Sequence, residues 1–127
     1  MGINDRKVAA TPTLFGIKNC DTVKKARAWL GTRGVDYAFH DYKACGIEPE
    51  RLKRWIGEVG WEALLNRAGT TFRKLPDSAK ASLTADKALD LMVAQPSMIK
   101  RPVLEHAGRL SVGFKPESYE REFGEFV

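Results

Sequence analysis

The stretch that decides the fold runs from Thr13 to Ala26 and has the sequence TLFGIKNCDTVKKA. Residues 13–17 form a short, mostly apolar run, which is typical of a β-strand. From Val23 onward, apolar residues recur at helical spacing. We therefore predict a strand that leads directly into a helix, with Cys20 on or beside the helix N-terminus.

Cys20 is the candidate nucleophile of the chain. The unpaired N–H groups and the positive dipole end at a helix N-terminus favour a negatively charged sulfur. Lys18 and Lys24 stand close in sequence, and Lys24 follows Cys20 by one helical turn. We expect Asp21 or Thr22 to cap the helix and Cys20 to be a reactive thiolate. The alternative is an inert cysteine, because cysteines outside disulfides are often buried as small apolar side chains.

Composition restricts the class of protein. The chain has 127 residues, of which 43% are hydrophobic, and no Pro/Gly/Ser-rich linker. This predicts one domain over residues 12–127 after a flexible leader over residues 1–11. No apolar run approaches the roughly 20 residues of a membrane span, and the leader lacks the apolar core of a secretory signal. With only two cysteines, we expect no structural disulfide and a cytoplasmic location.

The cysteines and histidines do not predict a metal site. Cys20 and Cys45 form no CxxC pair, and His40 and His106 lie far apart in sequence. We expect His106 to lie at the surface. Cys45 is a second candidate thiol that could resolve a mixed disulfide on Cys20 if their Cα atoms came within roughly 7 Å. The alternative for Cys45 is a surface thiol without such a role.

The formal net charge of +5 favours anionic partners. The basic residues are spread over several segments without interleaved aromatic residues, so the pattern does not favour nucleic-acid binding. A small anion held by a few converging Lys and Arg side chains fits the composition better.

The remaining pattern completes the predicted fold. In chain order it predicts a half-buried strand over 36–42, a helix over 49–59, a helical turn over 61–65, a loop-rich segment over 66–79, a helix over 85–95, strands over 103–106 and 109–112, and a helix over 116–123. Within these elements, we expect Thr84 to cap a helix that points Leu89, Met92 and Val93 inward, and Tyr119 and Phe123 to share one helical face.

This order predicts an α/β (α+β) thioredoxin-like fold. Its β-α-β unit, antiparallel hairpin and closing helix would form a central four-stranded mixed sheet. The middle helices would form an inserted helical subdomain over about residues 47–98.

Three segments resemble the ArsC-like family of thioredoxin-fold proteins. They are FGIKNCDTVKKA at 15–26, WEALLN at 61–66 and IKRPV at 99–103. The resemblance covers residues 14 to about 123 and is closest to the YffB-type branch. It is more distant to glutathione/glutaredoxin-coupled arsenate reductases and to Spx-type transcription regulators. It implies that Cys20 is the nucleophile and that Arg101 faces it, next to a cis-proline at Pro102.

The chain departs from the arsenate reductases of this family at several positions. Those enzymes have a histidine four residues before the cysteine and an arginine four residues after it, where this chain has Gly16 and Lys24. Their later anion-binding arginines correspond to Asn66, which precedes Arg67, and to Lys115. Arginine binds an oxyanion with two parallel hydrogen bonds, whereas lysine is a flexible point charge. The departures therefore argue against arsenate as the substrate.

The resemblance implies a glutathione-dependent thiol reductase or thioltransferase. A mixed disulfide would form on Cys20, and glutathione or glutaredoxin would resolve it. We expect glutathione as co-substrate, glutaredoxin as a candidate partner, no tightly bound cofactor or metal, and a monomer. The predicted substrate- and anion-binding residues are Lys18, Asn19, Lys24, Arg67, Arg101 and Lys115, with Pro102 shaping the site.

Three other functions stay open at this stage. The first is glutathione/glutaredoxin-coupled arsenate reduction. The second is an Spx-like module that binds the transcription machinery without turnover, although redox-switched regulators of that kind carry a CxxC pair that this chain lacks. The third is a structural domain with a vestigial site.

Overall fold

The computed structural model describes residues 11–123. Nearly all of the predicted leader therefore lies outside the described residues. The elements are β1 (Thr13–Gly16), α1 (Asp21–Thr32), β2 (Ala38–Asp41), α2 (Tyr42–Cys45), α3 (Pro49–Val59), α4 (Trp61–Leu64), α5 (Thr70–Arg73), α6 (Asp77–Lys80), α7 (Ala85–Ala94), a 3₁₀ turn (Pro96–Met98), β3 (Val103–His106), β4 (Arg109–Val112) and α8 (Pro116–Phe123).

The chain divides into two compact units. The first contains the described residues up to Asp41 together with those from Arg101 onward, and the second is Tyr42–Lys100. The predicted domain bounds, with an insertion over about residues 47–98, stay a prediction.

The first unit is built on a mixed four-stranded sheet with the order β2-β1-β3-β4. β1 is parallel to β2, antiparallel to β3, and β3 is antiparallel to β4. The parallel pair requires a crossover connection, and α1 lies in that connection. The sheet and its helices confirm the predicted thioredoxin-like fold.

One apolar cluster joins the sheet to α1 and α8. Its buried members are Leu14, Ala26, Leu30, Leu104, Tyr119 and Phe123. Tyr119 and Phe123 share the buried face of α8, as predicted, and the ring of Trp29 meets Tyr119 edge-on at 5.5 Å. The cluster anchors α1 to β1 and β3, the strands that border the candidate site.

His106 is buried, so the prediction that it lies at the surface is wrong. It ends β3, an inner strand of the sheet, and only 6% of its surface is exposed. Its Nδ1 contacts the Glu122 carboxylate of α8, and its ring packs on Phe123 at 4.8 Å. Arg109 donates from Nε and from a terminal nitrogen to the same carboxylate, at 3.0 and 2.6 Å. Glu122, the partner that stabilises the buried histidine, lies sixteen positions later in the chain.

The second unit is helical. α3 buries Leu52 and Trp55 and ends at Gly60, which has a φ of +87° that favours glycine. Leu65, which follows α4, and Ile99, which follows the 3₁₀ turn, form an isolated antiparallel bridge.

The helix α7 differs from the prediction in its inward face. Thr84 caps it as expected, because its hydroxyl accepts a hydrogen bond from the Lys87 N–H at 3.3 Å. The buried residues, however, are Ala88 and Met92. Leu89 and Val93, which were expected to point inward beside Met92, are only half-buried. The buried stripe is therefore narrower than the apolar pattern of the sequence indicates.

The segment predicted to be loop-rich contains two single-turn helices, α5 and α6. Their short length leaves no room for a repeating apolar pattern, although Phe72 is buried on α5. Within residues 11–123, none of the helices has the length and apolar character needed to cross a membrane.

Candidate active site

Cys20 lies where the chain passes from β1 into α1. A turn closed by the Cys20 N–H and the Ile17 carbonyl, at 3.2 Å, leads from the strand to the helix. Cys20 has extended backbone angles and is itself the N-cap residue, and its carbonyl accepts the Lys24 N–H at 2.9 Å. The prediction that Asp21 or Thr22 caps α1 is therefore wrong, because both residues already lie within the helix.

The surroundings of the Cys20 sulfur favour a thiolate. Partial burial acts to raise the pKa of the thiol. The Val23 N–H, the Arg101 side chain and the Thr22 N–H interact with the sulfur and lower it, and together they hold the pKa below its ordinary value. A neutral thiol is a weak acceptor, and Cys20 makes no regular side-chain capping bond. The helix N-terminus therefore acts mainly on the charged sulfur.

Arg101 reaches the sulfur from the segment that precedes β3. Val103 pairs with Phe15 of β1, so the antiparallel register brings the residues before Val103 alongside the C-terminal end of β1. The Arg101–Pro102 peptide bond is cis, as the resemblance implies, and Pro102 is buried. The Pro102 carbonyl accepts the Gly113 N–H at 2.8 Å. Arg101 is half-buried, and its side chain supplies both a hydrogen bond and a positive charge to Cys20.

The other predicted site residues are not among the groups that shift the pKa of Cys20. Lys18 and Asn19 are exposed in the turn before Cys20, and Lys24 is exposed in the first part of α1. Lys115 is exposed immediately before α8. Arg67 belongs to the second unit, where its guanidinium lies 5.7 Å from the ring centre of Trp61. The binding roles of these residues stay predictions.

Two features of the site were not predicted from the sequence. One is that Val23 supplies an N–H to the sulfur, although its position three residues after an N-cap is a signal that could have indicated this. The other is the packing of Val23 against Gly16, for which the sequence offers only a glycine at the end of a strand.

The described residues contain no group of three or more His, Cys, Asp or Glu side chains that could hold a metal ion. Cys20 is half-buried, Cys45 is exposed at the end of α2, and neither is disulfide-bonded. The chemistry that the described site can supply is that of a single activated thiol beside a guanidinium group.

The sequence model of the ArsC family matches residues 15–122. This chain belongs to the ArsC family. Among the solved structures that are similar to this ArsC-family chain, two have well over half of their residues in common with it. One is the protein YFFB (PA3664), which is 62% identical, with a TM-score of 0.85 over 87% of this chain and 97% of that one. The other is an arsenate reductase (ArsC) related protein from Brucella melitensis, which is 59% identical, with a TM-score of 0.72 over 89% of this chain and 94% of that one.

Curated proteins are also similar in sequence to this ArsC-family chain. An uncharacterized protein from Haemophilus influenzae is 38% identical over 87% of this chain and 97% of its own length. A more distant relative is the global transcriptional regulator Spx from Streptococcus pyogenes, which is 29% identical over 83% of this chain and 79% of its own length. Membership of the ArsC family supports a thiol reductase kind of function.

Proposed function

We propose that this protein is a glutathione-dependent thiol reductase or thioltransferase with Cys20 as its nucleophile. One observation carries the proposal, namely that the Cys20 sulfur lies at a helix N-terminus beside the Arg101 guanidinium. Both groups lower the pKa of the thiol and stabilise the negative charge that a nucleophilic sulfur requires. Membership of the ArsC family supports the same chemistry.

The proposed reaction is two successive thiol–disulfide exchanges. The Cys20 thiolate attacks the glutathione sulfur of a mixed disulfide between glutathione and a substrate, and the substrate leaves as a thiolate that takes up a proton. The thiolate of a second glutathione then attacks the disulfide on Cys20, which releases oxidised glutathione and restores the Cys20 thiolate. In each cycle one free glutathione is oxidised and one substrate thiol is released, and the second half of the oxidised glutathione comes from the mixed disulfide, so the cycle needs no bound cofactor. Glutaredoxin could replace the second glutathione.

Basic side chains near the thiol would hold the carboxylates of glutathione. Lys18 and Lys24 flank Cys20 in the chain and are both exposed, so they can reach a ligand on the sulfur. We include Asn19, Arg67, Arg101 and Lys115 among the anion-binding residues and Pro102 as a residue that shapes the site. A flexible ammonium group suits two separated carboxylates better than it suits a compact oxyanion.

The proposal is tested by intact mass after exposure to oxidised glutathione. The wild type and Cys45→Ser should each gain one glutathione at Cys20, whereas Cys20→Ser should gain none there. A coupled assay with glutathione and glutathione reductase should then show turnover of a mixed-disulfide substrate that Cys20→Ser lacks. Turnover that survives in Cys20→Ser, or modification confined to Cys45, would contradict the proposal. The exposed Cys45 makes its variant the necessary control.

Arsenate reduction is the second candidate, because a similar solved structure is an arsenate reductase (ArsC) related protein. Lys24 and Lys115 stand where arsenate reductases of the family are expected to have arginine, which makes an oxyanion a poorer ligand here. Arsenate consumption in the presence of glutathione and glutaredoxin should not exceed that of the protein-free control. Consumption that depends on Cys20 would favour this candidate over the first.

A binding module is the candidate from a different class, since Spx is among the relatives of this chain. Such a module would bind RNA polymerase without turnover. A pull-down against RNA polymerase subunits would show a band above background if this function holds, and none under our proposal. The cytoplasmic location and the monomeric state stay predictions.

A further inference from the structure

The end of β1 and the first part of α1 meet at Gly16 and Val23. A Cβ atom added to Gly16 would lie 2.7 Å from Cγ2 and 3.3 Å from Cγ1 of Val23. Val23 is fully buried, so its side chain has little room to withdraw. The space that a side chain at position 16 would need is therefore already filled by Val23.

Val23 also acts on Cys20 through its backbone. Cys20 is the N-cap of α1 and Val23 is the third helical residue, the position whose N–H an N-cap side chain can accept. Partial burial raises the pKa of the Cys20 thiol, and the Val23 N–H has the largest of the effects that lower it. The residue that packs on Gly16 is thus also the residue whose N–H faces the sulfur.

We propose that Gly16 is a positioning residue for the Cys20 thiolate. Because Gly16 has no side chain, Val23 can pack directly against β1, and this contact sets the position of the Val23 N–H relative to the Cys20 sulfur. The inference rests on Cys20 being the nucleophile of the proposed function. It adds a residue that acts on the sulfur through Val23.

Gly31 provides a matched comparison within the same helix. A Cβ atom added to Gly31 meets nothing within 4 Å, although the residue lies in α1 like Val23. Alanine at position 31 therefore adds the same atom to the protein without moving the start of the helix. The two glycines separate the effect of a contact from that of a glycine-to-alanine change as such.

The test is the pH dependence of Cys20 alkylation by iodoacetamide in a Cys45→Ser background. Gly16→Ala should raise the pH midpoint of Cys20 alkylation by about half a pH unit to one pH unit. This leaves roughly three- to tenfold less thiolate at neutral pH. Gly31→Ala should not move the midpoint. In the double variant with Val23→Ala, the smaller side chain makes room, so the midpoint should match that of Val23→Ala alone.

Each outcome decides the inference. A folded Gly16→Ala variant with the wild-type midpoint overturns it, as does a double variant in which the two shifts simply add. Should Gly16→Ala not fold, a double variant that folds with the midpoint of Val23→Ala supports the inference, and one that also fails to fold overturns it. A wild-type midpoint at the ordinary value for cysteine would overturn the proposed function as well, so the two failures are distinguishable.

Discussion

At the scale of single residues, the pair of Cys20 and Arg101 determines the reactivity of the site. Arg101→Ala removes both a hydrogen bond and a positive charge from the sulfur. We therefore expect the pKa of Cys20 to rise and the rate of alkylation at neutral pH to fall by roughly three- to tenfold. The alkylation rate of Arg101→Lys should lie between those of the wild type and Arg101→Ala, since lysine keeps the charge without the planar donor group. An unchanged alkylation midpoint in Arg101→Ala would contradict this role.

Glu122 is the residue whose charge most clearly links pH to stability. Partial burial raises the pKa of its carboxyl group, but hydrogen bonds from Arg109 and His106 outweigh this and hold the pKa below its ordinary value. The contribution of Glu122 to stability is therefore fully present above its unfolded pKa and is lost as the pH falls through the lower folded pKa.

Glu122→Gln tests this linkage by urea denaturation. At neutral pH we expect the free energy of unfolding to fall by about 1–2 kcal/mol, a figure that allows for the solvent exposure of Arg109. Below the folded pKa of Glu122 the wild type loses the same contribution. The difference in the free energy of unfolding between the wild type and Glu122→Gln should therefore become smaller. Glu120→Gln is the control, because Glu120 is an exposed partner of Arg33 and should have little effect. A gap that is constant with pH would contradict the argument.

Residue patterns alone predicted Cys20, whereas Arg101 came only from the family resemblance. A cysteine between a strand and a helix is visible in a single stretch of sequence. Arg101 approaches Cys20 because Val103 pairs with Phe15, and that register joins segments far apart in the chain. The burial of His106 likewise depends on Glu122 of another element. A buried or reactive side chain cannot be predicted from a local pattern when its partner lies in a distant segment of the chain.

At the scale of elements, the cap of α7 offers a direct measurement. The Thr84 hydroxyl accepts the Lys87 N–H at 3.3 Å. Thr84→Ala leaves this N–H without its side-chain acceptor, so we expect unfolding to require about 0.5–2 kcal/mol less free energy. Thr84→Ser keeps the acceptor and should remain close to the wild type. Equal urea midpoints for the alanine and serine variants would show that the cap does not stabilise α7.

The elements that were predicted well are those with a repeating pattern and a clear end. α3 begins with Pro49 at its first position and ends at Gly60, and both signals are local. α5 and α6 are single turns, so neither contains two repeats of an apolar pattern. α5 buries Phe72, a contact that no short sequence window contains, and α6 buries no residue at all.

At the scale of the whole molecule, the positive net charge of the protein acts on the proposed substrate. The formal net charge is +5, and exposed lysines stand on both sides of Cys20 in the chain. Oxidised glutathione carries more carboxylates than amines, so a positive protein attracts it over long range. Attraction of this kind weakens as salt shortens the Debye length, from roughly 30 Å at 0.01 M to about 3 Å at 1 M.

This attraction predicts how Cys20 should react with different disulfides. The rate of mixed-disulfide formation with oxidised glutathione should fall severalfold between low and high salt, because screening removes the attraction but leaves the thiolate in place. The Cys20 thiolate attacks the disulfide of 2-mercaptoethanol by the same chemistry, but this disulfide is uncharged, so the rate of its reaction should change little with salt. Stopped-flow measurements on Cys45→Ser at constant pH would compare the two reagents. Parallel salt dependence for both would mean that salt acts on Cys20 itself, and the charge of the molecule would then play no part in substrate capture.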